Sequence, residues 1–127
     1  MANVNQGNRP LSPHLQVYRM PLNAVMSITH RATGVGMAVS AMLITWWFLS
    51  AATSEEYFAT ANGFMTSWLG DIIMFFSMLG IWYHFCSGIR HLVWDTGSGL
   101  GQRRVKRSGI AALICAAALS LITIIIA

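Results

Sequence analysis

Residues 68–95 read WLGDIIMFFSMLGIWYHFCSGIRHLVWD, and this stretch decides the fold. It is mostly apolar and long enough to cross a membrane as a helix, which takes about 20 residues. Its end nevertheless carries His84, Arg90, His91 and Asp95. Ionisable groups at membrane depth are costly and usually mark a functional site. The stretch therefore predicts a transmembrane helix that ends in a binding site.

The spacing of the two histidines limits what they can bind. On a helix, His84 and His91 share one face, separated along the axis by roughly 10 Å at about 1.5 Å per residue. Gly88 lies between them on that face, where the missing side chain lets a flat or bulky group approach. Because the two rings are too far apart to grip one metal from opposite sides, a second ligand has to come from another helix or another chain.

The whole chain has the composition of a membrane protein. Of its 127 residues, 55% are hydrophobic and 9% are charged, against about 25% charged in soluble domains. We predict an all-α membrane protein with three transmembrane helices at residues 22–50, 68–95 and 108–127. A short interfacial helix is expected at residues 55–65. Three helices make few internal contacts, so we expect the chain to need partner subunits.

The segments outside the spans predict the orientation. Residues 1–21 contain Pro10 and Pro13, which favour an extended segment outside the membrane. Basic residues flank the spans on one side only: Arg9, Arg19, Arg103, Arg104, Lys106 and Arg107. Lys and Arg are enriched in cytoplasmic loops, so we predict a cytoplasmic N-terminus in a bacterial inner membrane. The net charge of +4 is then a topology signal and not a sign of nucleic-acid binding.

A second polar cluster lies at the start of the first span. Residues at helical spacing form one stripe there: Ser27, His30, Arg31 and Gly34, continued by the small residues Ala38, Ala41 and Thr45. Small residues on one face let helices pack closely in lipid, so we expect this stripe to face inward. The predicted topology brings its polar end to the side where the second span ends. Two clusters from distant sequence then converge at one depth, which predicts a site there.

The side chains of these two clusters are of the types that bind haem. A histidine beside a glycine in a transmembrane helix is a candidate axial ligand for haem iron, and His84 fits that description. The propionates of haem need cations or hydrogen-bond donors. Candidates are His30, Arg31 and His91, which lie toward the interface.

A quinone headgroup is the other group that the cluster suits. Its carbonyl oxygens need hydrogen-bond donors, and Ser27 and Arg31 lie one helical turn apart. Asp95 is a candidate proton relay, or an ion-pair partner for Arg90 or Arg31. Each of these residues also has a structural interpretation, as a packing, topology or headgroup-contacting side chain. The residues alone leave three classes open: a redox-cofactor anchor, a plain assembly anchor and a small transporter component.

Three motifs resemble a known family. They are RPLSPHL at residues 9–15, SITHRATG at 27–34 and HFCSGIRHLVWD at 84–95. In this order, and with three spans, they resemble the cytochrome b membrane-anchor subunit of succinate dehydrogenase, respiratory complex II. The resemblance covers nearly the whole chain.

The resemblance implies a four-subunit complex with a flavoprotein subunit, an iron–sulfur subunit and a second membrane-anchor subunit. It implies that His84 binds the iron of one haem b shared with the second anchor, while His30, Arg31 and His91 reach the propionates. Ser27 and Arg31 are implied in the site that reduces ubiquinone, and Asp95 in its proton path.

Several alternatives stay open beside this expectation. The chain can be the anchor of a quinol:fumarate reductase, which uses related subunits. It can be a structural anchor without haem. It can also be a one-chain b-type cytochrome that uses His30 and His84 as its two iron ligands.

Overall fold

The computed structural model describes residues 18–126, so most of the predicted extended segment at residues 1–21 lies outside the described part. Four helices form the fold: α1 Leu22–Thr53, α2 Glu55–Met65, α3 Trp68–Asp95 and α4 Gln102–Ile126. Three of them, α1, α3 and α4, are long and apolar enough to cross a membrane. The prediction of an all-helical protein with three membrane-spanning helices is confirmed by the length and composition of these helices.

The ends of the helices follow from local chemistry. Ser54 precedes α2 in extended conformation, and its hydroxyl accepts the backbone N–H of Tyr57. Ser67 does the same for Gly70 at the start of α3. These N-caps satisfy N–H groups that have no partner inside the helix. They separate the short helix α2 from its neighbours, and its bounds agree with the predicted interfacial helix.

The fourth helix begins earlier than the predicted span. It starts at Gln102 instead of residue 108, so the basic run is helical and not part of a loop. The turn before it uses Gly97 and Gly99, whose φ angles are +76° and +78°. Glycine adopts this left-handed conformation without steric cost. Arg and Lys are good helix formers, and their side chains extend the helix beyond the apolar span.

The three long helices pack with α3 between α1 and α4, and α1 also touches α4. Small residues line the buried face of α4: Gly109, Ala112, Ala116 and Ser120. Such residues let helix backbones approach closely in lipid, where no hydrophobic force drives helices together. Many large apolar side chains are exposed, as expected of a surface that faces lipid.

The inward face of α1 differs from the predicted stripe. Ala38, Ala41 and Thr45 are exposed, whereas Met26 and Ser40 are buried. Contacts with α3 come from His30 and Gly34 of the predicted stripe and, on the adjoining face, from Thr33 and Ser40. In lipid, polar hydrogen bonds also decide which face turns inward, and the Ser40 hydroxyl lies 2.6 Å from that of Ser77 on α3.

The short helix α2 lies against the far end of α1. The indole N–H of Trp46 donates to the Tyr57 hydroxyl at 2.8 Å, and that of Trp47 donates to the Asn62 side-chain oxygen at 3.2 Å. The opposite end of the bundle is where α1 and α4 begin and α3 ends. That end carries the predicted site.

Candidate functional site

Three histidine rings stack at the end of the bundle. The ring of His30 on α1 lies between those of His84 and His91 on α3. Its centroid is 3.8 Å from that of His84, with an interplanar angle of 17°, and 4.9 Å from that of His91. The predicted convergence of the two sequence clusters is confirmed for these three residues.

The orientation of the His84 ring is fixed by α1. Its Nδ1 lies 3.1 Å from the backbone oxygen of His30 and 3.2 Å from the Thr33 hydroxyl. A carbonyl oxygen only accepts, so Nδ1 carries the proton and donates it. The Thr33 hydroxyl gives its own hydrogen to a backbone oxygen one turn back. In a neutral imidazole, this arrangement leaves the lone pair of Nε2 available, as a metal ligand requires.

Two glycines make room for these rings. A Cβ at Gly34 would lie 3.2 Å from Cε1 of His84, closer than most real contacts. A Cβ at Gly88 would lie 4.0 Å from Cε1 of His30. The sequence predicts that a flat group approaches Gly88, and in this structure that group is the imidazole of His30.

The ring of His91 is held by its own helix. Its Nδ1 donates to the backbone oxygen of Ser87 at 2.7 Å, and its edge meets Trp94 with centroids 5.1 Å apart. Within residues 18–126, no group of three or more His, Cys, Asp or Glu side chains can hold a metal ion. The lone pair of an imidazole nitrogen lies in the plane of its ring. In rings stacked face to face, these lone pairs do not converge on one point, so the cluster is not a three-histidine metal centre.

Two buried polar atoms at this site have no hydrogen-bond partner among the described residues: His30 Nδ1 and Ser87 Oγ. Ser87 is fully buried, with 0% of its surface exposed. Unpartnered buried polar atoms are rare in folded proteins because each costs about 1–3 kcal/mol. Both lie within the part of the molecule where the histidines stack.

The other predicted site residues lie at the same end but outside the stack. Ser27 is half-buried on α1, and Arg31 is exposed one turn further along. Asp95 is exposed at the last residue of α3. These three side chains are placed where a molecule outside this chain can reach them.

Arg90 lies in the interior and does not extend to the headgroups. It is only 6% exposed, and its guanidinium lies 4.0 Å from the ring of Trp94. It donates from Nε to the Ser108 hydroxyl, and from Nη2 to the side-chain oxygen of Asn23 and the backbone oxygen of Val105. Arg90 thus joins α3 to α1 and α4 instead of pairing with Asp95.

Sequence reasoning missed the hydroxyl groups that hold the site. Thr33 was not singled out, although it lies three residues from His30. The Tyr83 hydroxyl donates to the backbone oxygen of Met26 at 2.7 Å. The sequence feature that could have pointed to both residues is that each carries a hydroxyl and lies close to a histidine in the chain. From such a position a hydroxyl can reach across the α1–α3 contact.

An open cavity of about 320 Å³ lies between α1 and α3 beside this cluster. Its lining consists of the small residues Ala32, Gly36 and Gly80, the hydroxyl residues Thr33 and Ser77, and the large side chains of Met37 and Phe76. Gly80 precedes His84 by one helical turn. The cavity therefore lies one helical turn from His84, which is not one of its lining residues.

The fold and the site define a class of protein: a multi-pass membrane protein that presents a histidine cluster at one end of a three-helix layer. Over residues 5–124, the chain matches the family described as the succinate dehydrogenase/fumarate reductase transmembrane subunit. It belongs to that family. The resemblance stated from the motifs is confirmed, and the chain is a subunit of a complex of the succinate dehydrogenase type.

Similar proteins come from bacteria and from eukaryotes. The succinate dehydrogenase cytochrome b556 subunit of Paracoccus denitrificans is 48% identical over 126 residues, which cover 99% of this chain and 97% of that protein. The cytochrome b560 subunit of Marchantia polymorpha is 37% identical over 93% of this chain and 90% of its own length. The mitochondrial b560 subunit of Sus scrofa is 39% identical over 88% of this chain and 68% of its own length.

Proposed function

We propose that this chain is the cytochrome b membrane-anchor subunit of a succinate:quinone oxidoreductase. In this role it docks the catalytic subunits, holds one haem b together with a second anchor subunit, and forms part of the site that reduces ubiquinone. The observation that carries the proposal is the way α1 holds the ring of His84. Its Nδ1 is held by His30 and Thr33, and its Nε2 is free to bind iron.

The residues of the site fit haem. Haem needs an imidazole nitrogen for its iron and close-packed surroundings for its flat ring. His84 would supply the nitrogen, and the cavity one helical turn away is lined by small residues of both helices together with Met37 and Phe76. When bound, haem supplies one-electron redox chemistry.

The second iron ligand comes from another chain in this proposal. The rings of His30 and His84 are stacked at 3.8 Å, which is already the contact distance between flat groups. Nothing as thick as a macrocycle would fit between these two rings, so they could not hold one between them. The one-chain cytochrome that uses His30 and His84 therefore does not fit this geometry.

The propionates are assigned to His30, Arg31 and His91. All three lie on the side of His84 that faces the ends of the helices. A guanidinium forms two parallel hydrogen bonds to a carboxylate, which makes Arg31 the strongest donor of the three. The exposure of Arg31 leaves its guanidinium free to turn toward a group bound outside this chain.

Ser27 and Arg31 are assigned to the quinone. Reduction of a quinone to a quinol takes two electrons and two protons. The Ser27 hydroxyl and the Arg31 guanidinium can donate hydrogen bonds to a carbonyl oxygen and keep it oriented. A fixed cation there favours negative charge on that oxygen. Asp95, exposed at the end of α3, is assigned to the path by which protons arrive from water.

The proposed partners are a flavoprotein subunit, an iron–sulfur subunit and the second anchor subunit. The proposed location is the inner membrane of a bacterium. Residues 1–21 form the N-terminal segment in this proposal, and residues 22–127 form the membrane domain. The N-terminus is cytoplasmic because the basic residues flank the ends of the helices on that side. In this orientation the histidine cluster lies near the cytoplasmic face.

A purification through a tag on this chain tests the proposal. The detergent-solubilised complex is expected to contain three further subunits, to show a b-type reduced-minus-oxidised spectrum and to reduce ubiquinone with electrons from succinate. The same partners without haem would overturn the haem assignment and leave a structural anchor. A b-type spectrum without partners would overturn the anchor role itself.

A further inference from the structure

The charges of this chain are gathered at one end. In the described part, that end holds seven Lys and Arg residues: Arg19, Arg31, Arg90, Arg103, Arg104, Lys106 and Arg107. Only one of the four carboxylates in the sequence, Asp95, lies there. The other three precede α3 or lie in its first turn, at the opposite end. The chain itself therefore cannot neutralise this end.

A cleft opens at this end, and one of these cations, Lys106, lines it. Its volume is about 500 Å³, and it is lined by Pro21, Leu22, Asn23, Gln102 and Lys106. Since α1 begins at Leu22 and α4 at Gln102, the first turns of two helices meet there. The first N–H groups of a helix have no partner inside it and favour negative charge.

The polar side chains of the cleft offer donors. Arg90 donates to the side-chain oxygen of Asn23 at 3.2 Å, and because arginine cannot accept, this bond fixes which end of the amide faces Arg90. The NH2 group of Asn23 is left to donate elsewhere. Lys106 adds an ammonium group, which only donates. A site lined by these donors favours a ligand that accepts hydrogen bonds and carries negative charge.

The buried Arg90 lies next to the cleft and adds to its positive charge. Its partners are a hydroxyl, an amide oxygen and a backbone oxygen, so none of them cancels its charge. Buried charges are normally paired with an opposite charge. An anion in the cleft would lie one side chain, Asn23, away from this guanidinium.

We propose that this cleft binds the phosphate of an anionic phospholipid. The cleft lies where two membrane-spanning helices begin, at the depth of the headgroups. On the α4 face that carries Lys106, the next turns present Ile110 and Leu113, which are 43% and 38% exposed. A phosphodiester then contacts Lys106 and Asn23 while its acyl chains lie along these apolar side chains. A free phosphate ion would leave the apolar surface uncovered.

Lipid binding to the intact complex tests the proposal. The complex is purified through this chain in detergent, depleted of lipid and titrated with short-chain phosphatidylglycerol or phosphatidylcholine, with adducts counted by native mass spectrometry. Phosphatidylglycerol is expected to bind at least tenfold more tightly than phosphatidylcholine. Lys106→Gln is expected to weaken phosphatidylglycerol binding about tenfold, the loss expected for a hydrogen bond to a charged group. Lys106→Arg should keep the binding.

Arg104→Gln is the matched control. It removes the same charge from an exposed position of the same helix, turned well away from Lys106, and is expected to weaken binding no more than about twofold. Equal losses in Lys106→Gln and Arg104→Gln would overturn the cleft as the site and leave only diffuse attraction. Equal binding of the two lipids, or displacement of phosphatidylglycerol by millimolar inorganic phosphate, would overturn the lipid assignment.

Discussion

His84 is held by His30 in two ways at once. Their rings stack with centroids 3.8 Å apart, and Nδ1 of His84 donates to the backbone oxygen of His30 at 3.1 Å. The stack limits how far the His84 ring can tilt, and the hydrogen bond decides which nitrogen carries the proton. Two contacts to one residue of α1 thus orient a histidine that belongs to α3.

Thr33 completes this arrangement, so Thr33→Val tests it. The hydroxyl lies 3.2 Å from Nδ1 of His84, and valine keeps the shape without the oxygen. Loss of a hydrogen bond behind a metal ligand typically weakens binding about 10- to 100-fold. We expect haem to leave the detergent-solubilised variant at least about tenfold faster, measured by its transfer to apomyoglobin.

Thr29→Val is the control for that measurement. The Thr29 hydroxyl donates to the backbone oxygen of Val25 on its own helix, so the same substitution there should leave the haem transfer rate unchanged. Equal rates in the two variants would show that Thr33 does not orient His84.

Gly34 tests the space that the His84 ring needs. In Gly34→Ala the new Cβ would lie 3.2 Å from Cε1 of His84, so the ring or the helix has to shift by a few tenths of an ångström. We expect less haem per complex and a loss of about 1 kcal/mol in stability, at the low end for overpacking. The measurements are the pyridine haemochrome and thermal unfolding in detergent.

Gly63→Ala, on α2 at the far end of the bundle, serves as the comparison, since a Cβ there meets nothing within 4 Å inside this chain. It should keep the haem content and the unfolding temperature of the unchanged protein. If the two alanine variants behave alike, crowding of His84 is not the cause of any loss.

The quinone assignment predicts a separation of two activities. Ser27→Ala and Arg31→Ala remove donors to the quinone, and each should slow succinate-dependent ubiquinone reduction about tenfold or more. Electron transfer from succinate to an artificial dye should stay near normal, because the dye takes electrons before the quinone site. An equal fall in dye reduction would mean that these residues act on assembly instead.

Arg90 predicts a stability effect without a role in redox chemistry. Arg90→Ala removes three hydrogen bonds that join α3 to α1 and α4, and we expect a loss of about 1.5–3 kcal/mol in the free energy of unfolding. Arg104→Ala, at an exposed position, should change it by less than about 0.5 kcal/mol. Thermal unfolding of the complex in detergent measures both, and similar values for the two would contradict the interior role of Arg90.

The sequence was sufficient for the helices and for the meeting of the two clusters. Apolar length set the spans, and the spacing of His84 and His91 placed both rings on one face of α3. The position of His30 between them could not be read from spacing, because it depends on how α1 rotates against α3. That rotation is set by polar contacts such as Ser40 with Ser77, which small-residue patterns do not reveal.

The environment of Arg90 could not be predicted from the sequence either. From sequence, an arginine near a helix end is expected to extend toward the headgroups. The guanidinium of Arg90 can be buried because oxygen atoms surround it. Two of these oxygen atoms belong to α4. The sequence analysis did not predict that α4 begins at Gln102. The partners of a charged group are fixed by tertiary packing, so its role became visible only when the three helices were placed together.

The most direct test of the central claim is the haem spectrum of the assembled complex carrying His84→Ala. The complex is purified through this chain beside the unchanged protein and His91→Ala, and the low-spin b-type reduced-minus-oxidised spectrum is recorded per mole of complex. We expect the spectrum to be lost in His84→Ala, whereas His91→Ala removes only a propionate contact and keeps the spectrum in perturbed form, while the partner subunits remain bound in both. An unchanged spectrum in His84→Ala would contradict the assignment of His84 as the iron ligand.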